Sequence, residues 1–314
     1  MIRVLNLCGL GVDLPRLVVL GAGASYGSEV CKTNVPPLGD QLFKKLEERP
    51  GIASSIPDDV KGIFHSDFES GMAEFINRWA THAGRFQREL ALYLSSFAPT
   101  ADNLYFDLLD VFGLHPTTFA TLNYDLLLER VAMAKGLQYR YGVEYSAADV
   151  SILKPHGSSN FWPDVPLGNF RGCTIASLSP GAADIQAPVR PLPPDEAYER
   201  CRLDDSLSPA MSMYAKGKHV RSCPDFVREQ QSLFEYACDR ATTIHVIGVK
   251  VVPEDDHIWE PIAKSSARLV YFGSPADADL FNRWRFRSKR KNALFVDAYF
   301  DKALDWLKAN GVEA

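Results

Sequence analysis

The residues with the clearest chemical potential lie in a glycine-rich stretch near the start of the chain. Gly21-Ala22-Gly23-Ala24-Ser25 follows the apolar run Leu17–Leu20. Glycines adopt backbone conformations that are closed to residues with a Cβ, and they leave space for a ligand. Successive backbone N–H groups in such a turn, with a helix N-terminus behind it, form an anion site. The stretch therefore predicts either a phosphate-binding turn or a glycine turn that serves only chain geometry.

Two later stretches could complete a site of this kind. Thr121-Leu122-Asn123-Tyr124-Asp125 ends a β-prone segment in polar residues, although Asn123 or Asp125 could instead cap the following helix. His156 is the one histidine of seven that lies in a loop framed by proline and glycine directly after a predicted strand. An imidazole titrates near neutrality and suits proton transfer. A lone loop histidine is more often structural than catalytic, so its role depends on its neighbours.

Alternating strands and helices would position these stretches. The sequence predicts strands at 17–20, 117–121, 151–153, 243–247, 268–272 and 293–296. It predicts helices at 41–48, 125–135, 225–240, 255–264, 276–285 and 298–309. This alternation favours an α/β fold, a Rossmann-like doubly wound parallel sheet covered by helices on both faces. The loops that follow the strands of such a sheet gather at one edge, where ligands bind.

Two insertions interrupt the alternation within a single domain that we expect to span residues 1–314. Apolar residues recur at helical spacing from Phe68 to Phe97, and residues 103–112 are typical of another helix. We therefore expect a helical insertion at about 41–112 that forms a smaller subdomain. Residues from about 163 to 222 are rich in proline and poor in periodicity. A long irregular stretch is unusual inside a compact domain, so we expect a functional insertion that could gate the site.

Composition excludes several classes of function. The 314 residues are 46% hydrophobic and carry a net charge of -5, which does not recruit the chain to nucleic acid or to an anionic membrane. The apolar runs are too short to span a bilayer, and the N-terminus has no signal-peptide pattern. No two of the six cysteines form a Cys-x-x-Cys pair. We expect a cytoplasmic protein without disulfides and without a metal.

The order of these motifs along the chain resembles that of a known protein superfamily. Gly-Ala-Gly-Ala-Ser, then Thr-x-Asn-x-Asp, then a strand ending in His-Gly, with a later Ile-Gly, resembles the sirtuin superfamily from about Leu17 to Ala267. Within it, Gly-Ala-Gly-Ala-Ser-Tyr-Gly followed by the proline-rich loop at 35–40 is most similar to bacterial SIR2-like proteins. The resemblance implies a site that cleaves the nicotinamide–ribose bond of NAD.

The resemblance also implies a role for each matching residue. Asn123 would lie by the nicotinamide ribose, Asp125 would support that pocket, and His156 would act as the general base. The pyrophosphate would lie against Gly21, Ala22, Gly23, Ala24 and Ser25. Gly248 would lie under the adenosine half of NAD, with Gly273 and Ser274 near the adenine ribose.

Three departures from the sirtuin pattern bear on the reaction and the contacts that we expect. Sirtuin deacetylases carry a four-cysteine zinc module after the His-Gly strand, whereas this chain has only single cysteines at 173, 201 and 223. The arginine expected after the glycine turn is missing. Many relatives have a serine two residues after the Ile-Gly glycine, where this chain has Lys250, which could contact phosphate or face solvent.

These features lead to one functional hypothesis and two alternatives. The leading hypothesis is an NAD hydrolase (NADase) that releases ADP-ribose and nicotinamide in anti-phage defence and is silent until triggered. Its control would come from homo-oligomerisation or from a partner such as a motor ATPase or a nucleic-acid-sensing protein. The first alternative is a non-catalytic sensor or assembly subunit that binds NAD or ADP-ribose. The second is a protein deacylase, which the missing zinc module disfavours.

Overall fold

The computed structural model describes most of the chain, namely residues 15–29, 34–144, 148–166, 173, 185–212, 220–252 and 255–313. Its strands are β1 (Arg16–Leu20), β2 (Thr117–Thr121), β3 (Gln138–Tyr141), β4 (Asp149–Leu153), β5 (Phe161–Pro163), β6 (Val189–Pro191), β7 (Thr243–Ile247), β8 (Arg268–Gly273) and β9 (Ala293–Asp297). Seven of them form one parallel sheet in the order β3-β4-β2-β1-β7-β8-β9, and β5 pairs antiparallel with β6.

Helices connect the strands and cover the sheet. They are α1 (Ala22–Tyr26), α2 (Gly39–Glu47), α3 (Ile52–Ser55), α4 (Asp58–Ser66), α5 (Phe68–Trp79), α6 (Ala83–Ser95), α7 (Leu104–Phe112), α8 (Leu127–Ala134), α9 (Pro194–Leu203), α10 (Pro224–Arg240), α11 (Asp256–Lys264), α12 (Pro275–Arg287) and α13 (Phe300–Asn310). Among the described residues, no helix combines the length and the apolar character needed to cross a bilayer.

The sheet is buried on both faces, as the apolar runs predict. Successive residues of β1 point to opposite sides, because side chains alternate along a strand. Val18 and Leu20 belong to one apolar cluster, whereas Leu17 and Val19 belong to a second cluster that also contains residues of α10, α11 and α12. These two layers confirm the predicted α/β class with a parallel, Rossmann-like sheet.

Helices α2 to α7 lie between β1 and β2, in the interval where the sequence predicts a helical insertion. Their apolar residues include Phe43 and Phe64, whose rings stack with centroids 4.1 Å apart. Both residues belong to the same cluster as Val18 and Leu20. The insertion therefore shares its core with one face of the sheet.

Some local predictions were wrong. The prediction that 163–222 is irregular fails at α9, which begins at Pro194, a residue that suits the first turn because its missing N–H would be unpaired there. The sequence also missed the edge strand β3, whose residues are only partly buried or exposed and so lack an apolar run. Helix α2 begins at Gly39 and not at the predicted residue 41, so Asp40 lies within its first turn.

Candidate functional site

The predicted site residues follow five strands that are neighbours in the sheet. In the spatial order β4-β2-β1-β7-β8, the strands lead into His156, Asn123, Gly21, Gly248 and Gly273. The strands are parallel, so all five loops leave from the same, carboxyl, edge. Ligands of open α/β sheets bind at this edge. The fold therefore brings together stretches that lie up to 253 positions apart in sequence.

The glycine turn packs directly on the loop after β7. A Cβ on Gly21 would clash with the carbonyl oxygen of Gly248 and lie 2.8 Å from Cα of Val249. A Cβ on Gly23 would lie 2.9 Å from Cα of Gly248, and the N–H of Gly23 donates to the Gly248 oxygen at 2.9 Å. Gly248 has φ +65, which favours glycine. Backbone packing thus accounts for these glycines independently of any ligand.

Ser25 is the centre of a buried network between the glycine turn and the loop after β2. Asn123 Nδ2 donates to Ser25 Oγ at 2.8 Å and to the Gly21 oxygen at 2.9 Å. Ser25 Oγ donates to Asp125 Oδ2 at 2.8 Å and lies 3.0 Å from the hydroxyl of Tyr105. Because the Ser25 proton goes to Asp125, the Tyr105 hydroxyl donates to Ser25. The Gly21 oxygen can only accept, so the amide nitrogen of Asn123 must face it.

Asp125 is not the N-cap of α8, which is Leu126, but its carboxyl makes two hydrogen bonds beside the helix start. Its Oδ1 accepts a bond from the N–H of Leu127, the first residue of α8, at 3.2 Å. Its Oδ2 accepts the Ser25 proton. Burial raises the pKa of the Asp125 carboxyl, and the nearby positive charge of Lys154 and the Ser25 bond oppose this effect. The carboxyl therefore ties the helix start to the glycine turn.

A buried ion pair, which the sequence analysis missed, supports the loop after β2. Lys154 Nζ lies 3.1 Å from Glu129 Oε1, and both side chains are fully buried. The same ammonium donates to the backbone oxygens of Asp125 at 2.6 Å and Asn123 at 3.3 Å. Glu129 also accepts a bond from the Tyr141 hydroxyl at 2.9 Å. A charged residue inside the apolar run of α8 was the available signal, since such residues are rarely buried without a partner.

The loop that carries His156 is held by residues 208–212. Gly157 has φ +80, and a Cβ there would lie 2.8 Å from Cα of Met211. The N–H of Ser212 donates to the His156 oxygen at 2.7 Å. The His156 side chain is 5% exposed, and its ring lies 4.9 Å from that of His257, a residue of α11. The N–H and hydroxyl of Ser159 both bind the Tyr124 oxygen, which joins this loop to the Asn123 loop.

Helix α6 fixes the 205–212 segment against these loops. Gln87 Nε2 donates to the Pro209 oxygen at 2.6 Å, and Arg88 donates to the oxygens of Leu207 and Asp205 at 2.8 and 2.9 Å. The Tyr124 hydroxyl donates to the Ser212 oxygen. Both helix residues are buried, which is unusual for an arginine and a glutamine. The helical insertion therefore supports the second insertion, which in turn supports His156.

The expected adenosine side is less closely tied to this network. Ser274 is the N-cap residue of α12, and its hydroxyl and N–H both donate to Asp277 Oδ2, at 2.7 and 3.0 Å. Lys250 is exposed. Hydrogen bonds from Ser70 lower the pKa of Asp67 at the start of α5, and the positive charge of Lys250 adds to this effect.

No family model matches this chain, and no curated protein matches it either. The chemistry must follow from the residues at the carboxyl edge. Those residues comprise a hydrogen-bonded Ser–Asn–Asp group, an imidazole in an adjacent loop and a close-packed glycine turn. Asn123, Asp125 and His156 are 8%, 5% and 5% exposed. This arrangement can orient a hydroxyl or water and accept a proton.

Proposed function

We propose that this chain hydrolyses NAD at the nicotinamide–ribose bond. The observation that carries the proposal is the Ser25–Asn123–Asp125 network, which links the glycine turn to the loop after β2 beside the His156 loop. The resemblance to bacterial SIR2-like proteins supplies the substrate, and the network gives each matching residue a physical task.

Asn123 acts through its carbonyl oxygen. Both observed Nδ2 hydrogen bonds go to protein oxygens, so Oδ1 is the atom of the amide that can accept a bond from water or from a ribose hydroxyl. Ser25 and Asp125 hold the amide in that orientation. A rigidly oriented acceptor fixes the nucleophile against the ribose carbon, which reduces the entropy cost of the reaction.

The reaction balances with one water and no other reactant. The C–N bond breaks, and its electron pair returns to the nicotinamide nitrogen, which leaves uncharged. The water oxygen bonds to the ribose carbon, and His156 accepts the proton that the water loses. Proton transfer by a positioned side chain contributes about 10²–10⁴-fold to the rate. The products are ADP-ribose and nicotinamide.

The low exposure of the three side chains supports a resting state that must open before it acts. In the setting that the resemblance implies, anti-phage defence, NAD loss arrests the infected cell, so a closed site protects the uninfected one. A partner protein or assembly of several copies opens the site by displacing the 205–212 segment, which packs on the His156 loop.

NAD consumption tests this proposal. Nicotinamide and ADP-ribose are quantified by chromatography for the purified chain and for bacterial cells that overproduce it. We expect Asn123→Ala and His156→Ala to lose at least 100-fold in turnover. Asn282→Ala and His82→Ala, which change exposed residues of the same types, should match the wild type. Undiminished turnover in both site variants would refute the assignment.

A non-catalytic NAD or ADP-ribose sensor is the second candidate. It is favoured by the saturation of the Asn123 amide nitrogen and the Ser25 hydroxyl within the protein, which stabilises the site without a substrate. Calorimetry with NAD distinguishes the two functions. Binding without turnover, in the purified chain and in cells alike, would establish the sensor and exclude the hydrolase.

A further inference from the structure

Two histidines and an aspartate meet where the His156 loop approaches the start of α11. One potential ligand atom from each of His156, Asp255 and His257 lies within 4.8 Å of the other two. The two imidazole rings have centroids 4.9 Å apart with 50° between their planes. His156 and Asp255 are buried, and His257 is partly buried. The cluster joins residues about 100 positions apart in sequence.

These side chains form a ligand set typical of transition metals. Two imidazoles and one carboxylate bind Zn²⁺ in sites that leave a fourth position open, and the same set binds other first-row divalent ions. Zinc–ligand distances of about 2.1 Å in a tetrahedron place the ligand atoms about 3.4 Å apart. The ligand atoms of the cluster lie within 4.8 Å of one another. Bringing them to the spacing of a zinc site requires shifts of about 1.4 Å, which side-chain rotation can supply.

The position of Asp255 is consistent with this use. It lies at the N-cap of α11, where an aspartate usually accepts a hydrogen bond from the first turn. Its carboxylate makes no such capping bond. The backbone oxygen of Asp255 instead accepts the N–H groups of Ile258 and Trp259, at 2.9 and 3.0 Å, so the helix start is ordered without the side chain. Asp255 thus places a buried carboxylate beside the two imidazoles without using it as the side-chain cap of α11.

We propose that His156, Asp255 and His257 bind one divalent transition-metal ion of the zinc class. The sequence analysis expected no metal because it searched for paired cysteines, and this cluster contains none. The bound ion would connect the loop after β4 to the start of α11. It would also occupy a nitrogen of His156, so Zn²⁺ would inhibit NAD hydrolysis, a consequence that rests on the proposed function whereas binding itself does not.

Direct metal binding tests the site. The full chain is freed of metal with a chelator and titrated with ZnCl₂ by calorimetry and with Co²⁺ by visible absorption. We expect one ion per chain, with Co²⁺ bands of nitrogen and oxygen ligation and no thiolate charge-transfer band. Loss of an outer-shell partner of a metal ligand typically weakens metal affinity about 10- to 100-fold, and loss of a ligand itself costs at least as much. We therefore expect His257→Ala and Asp255→Asn to weaken metal binding by at least that factor. His82→Ala, at an exposed site, should bind as the wild type does.

Three outcomes would overturn the proposal. These are no binding by the wild type, unchanged affinity in both ligand variants, or a Co²⁺ spectrum dominated by thiolate bands, which would assign the ion to cysteines. The wild-type spectrum keeps the test decisive even if a variant fails to fold. Metal binding by a chain whose metal-free form shows no NAD turnover, in the purified protein and in overproducing cells, would refute the hydrolase and leave the metal site standing, and turnover without metal binding would do the reverse.

Discussion

Removing the buried ammonium of Lys154 should destabilise the fold by leaving a buried carboxylate without its cationic partner. Lys154→Met keeps most of the side-chain volume but leaves Glu129 without its cationic partner. It also removes the donor to the backbone oxygens of Asn123 and Asp125. Breaking a buried ion pair by removing one partner typically costs about 3–5 kcal/mol. We expect a loss of that size in the free energy of unfolding at pH 7.

Urea unfolding followed by circular dichroism at pH 7 measures this loss. The double variant Lys154→Met/Glu129→Gln is the matched control, because it removes both charges and leaves the two backbone oxygens without their donor. Its deficit should be about 2 kcal/mol, at about 1 kcal/mol for each lost hydrogen bond. A single-variant deficit no larger than that of the double variant would refute this account of the pair.

Two further predictions concern β7 and the loop that follows it. Burial lowers the pKa of His245 to about 3 from 6.5, so protonation favours the unfolded chain and stability is lost as pH falls below 6.5. The wild type should lose about 2.3 kcal/mol more free energy of unfolding between pH 6.5 and pH 4.5 than His245→Leu does, as measured by urea unfolding, and equal losses would contradict this. Gly248→Ala forces a Cβ against Gly23 and Ala24, whereas Gly136 has φ +71 with open space around it. Gly136→Ala should cost about 1–2 kcal/mol, Gly248→Ala at least about 2 kcal/mol more, and equal costs would contradict the packing.

The parallel sheet could be predicted because its strands are short apolar runs closed by glycine or polar residues. Strands β2 and β7 begin and end where the sequence places them. The edge strand β3 escaped prediction because Gln138–Tyr141 is only partly buried and carries no apolar pattern. Helix α9 escaped because the prolines around it are typical of irregular chain, and its own proline lies in the first turn, where proline is tolerated.

The sequence predicts that each site residue lies at the end of a strand, but not which atoms its side chain contacts. Asn123, Asp125 and the glycine turn meet because parallel strands end at one edge, which the strand pattern implies. Their hydrogen-bond partners could not be read in this way. Tyr105 and Lys154 come from distant elements, and no local pattern in the sequence marks which buried polar groups will meet. The roles inferred for Asn123 and His156 stay predictions until turnover is measured.

The hydrogen bonds from α6 to the 205–212 segment have an evolutionary consequence. Gln87 and Arg88 bind peptide oxygens, which every amino acid provides, so the attachment does not depend on which side chains the segment carries. Residues 206–212 are buried, however, so substitutions along them must also preserve the packing volume. Exchange among side chains of similar size along 206–211, with Gln87 and Arg88 retained, is the pattern that this attachment permits.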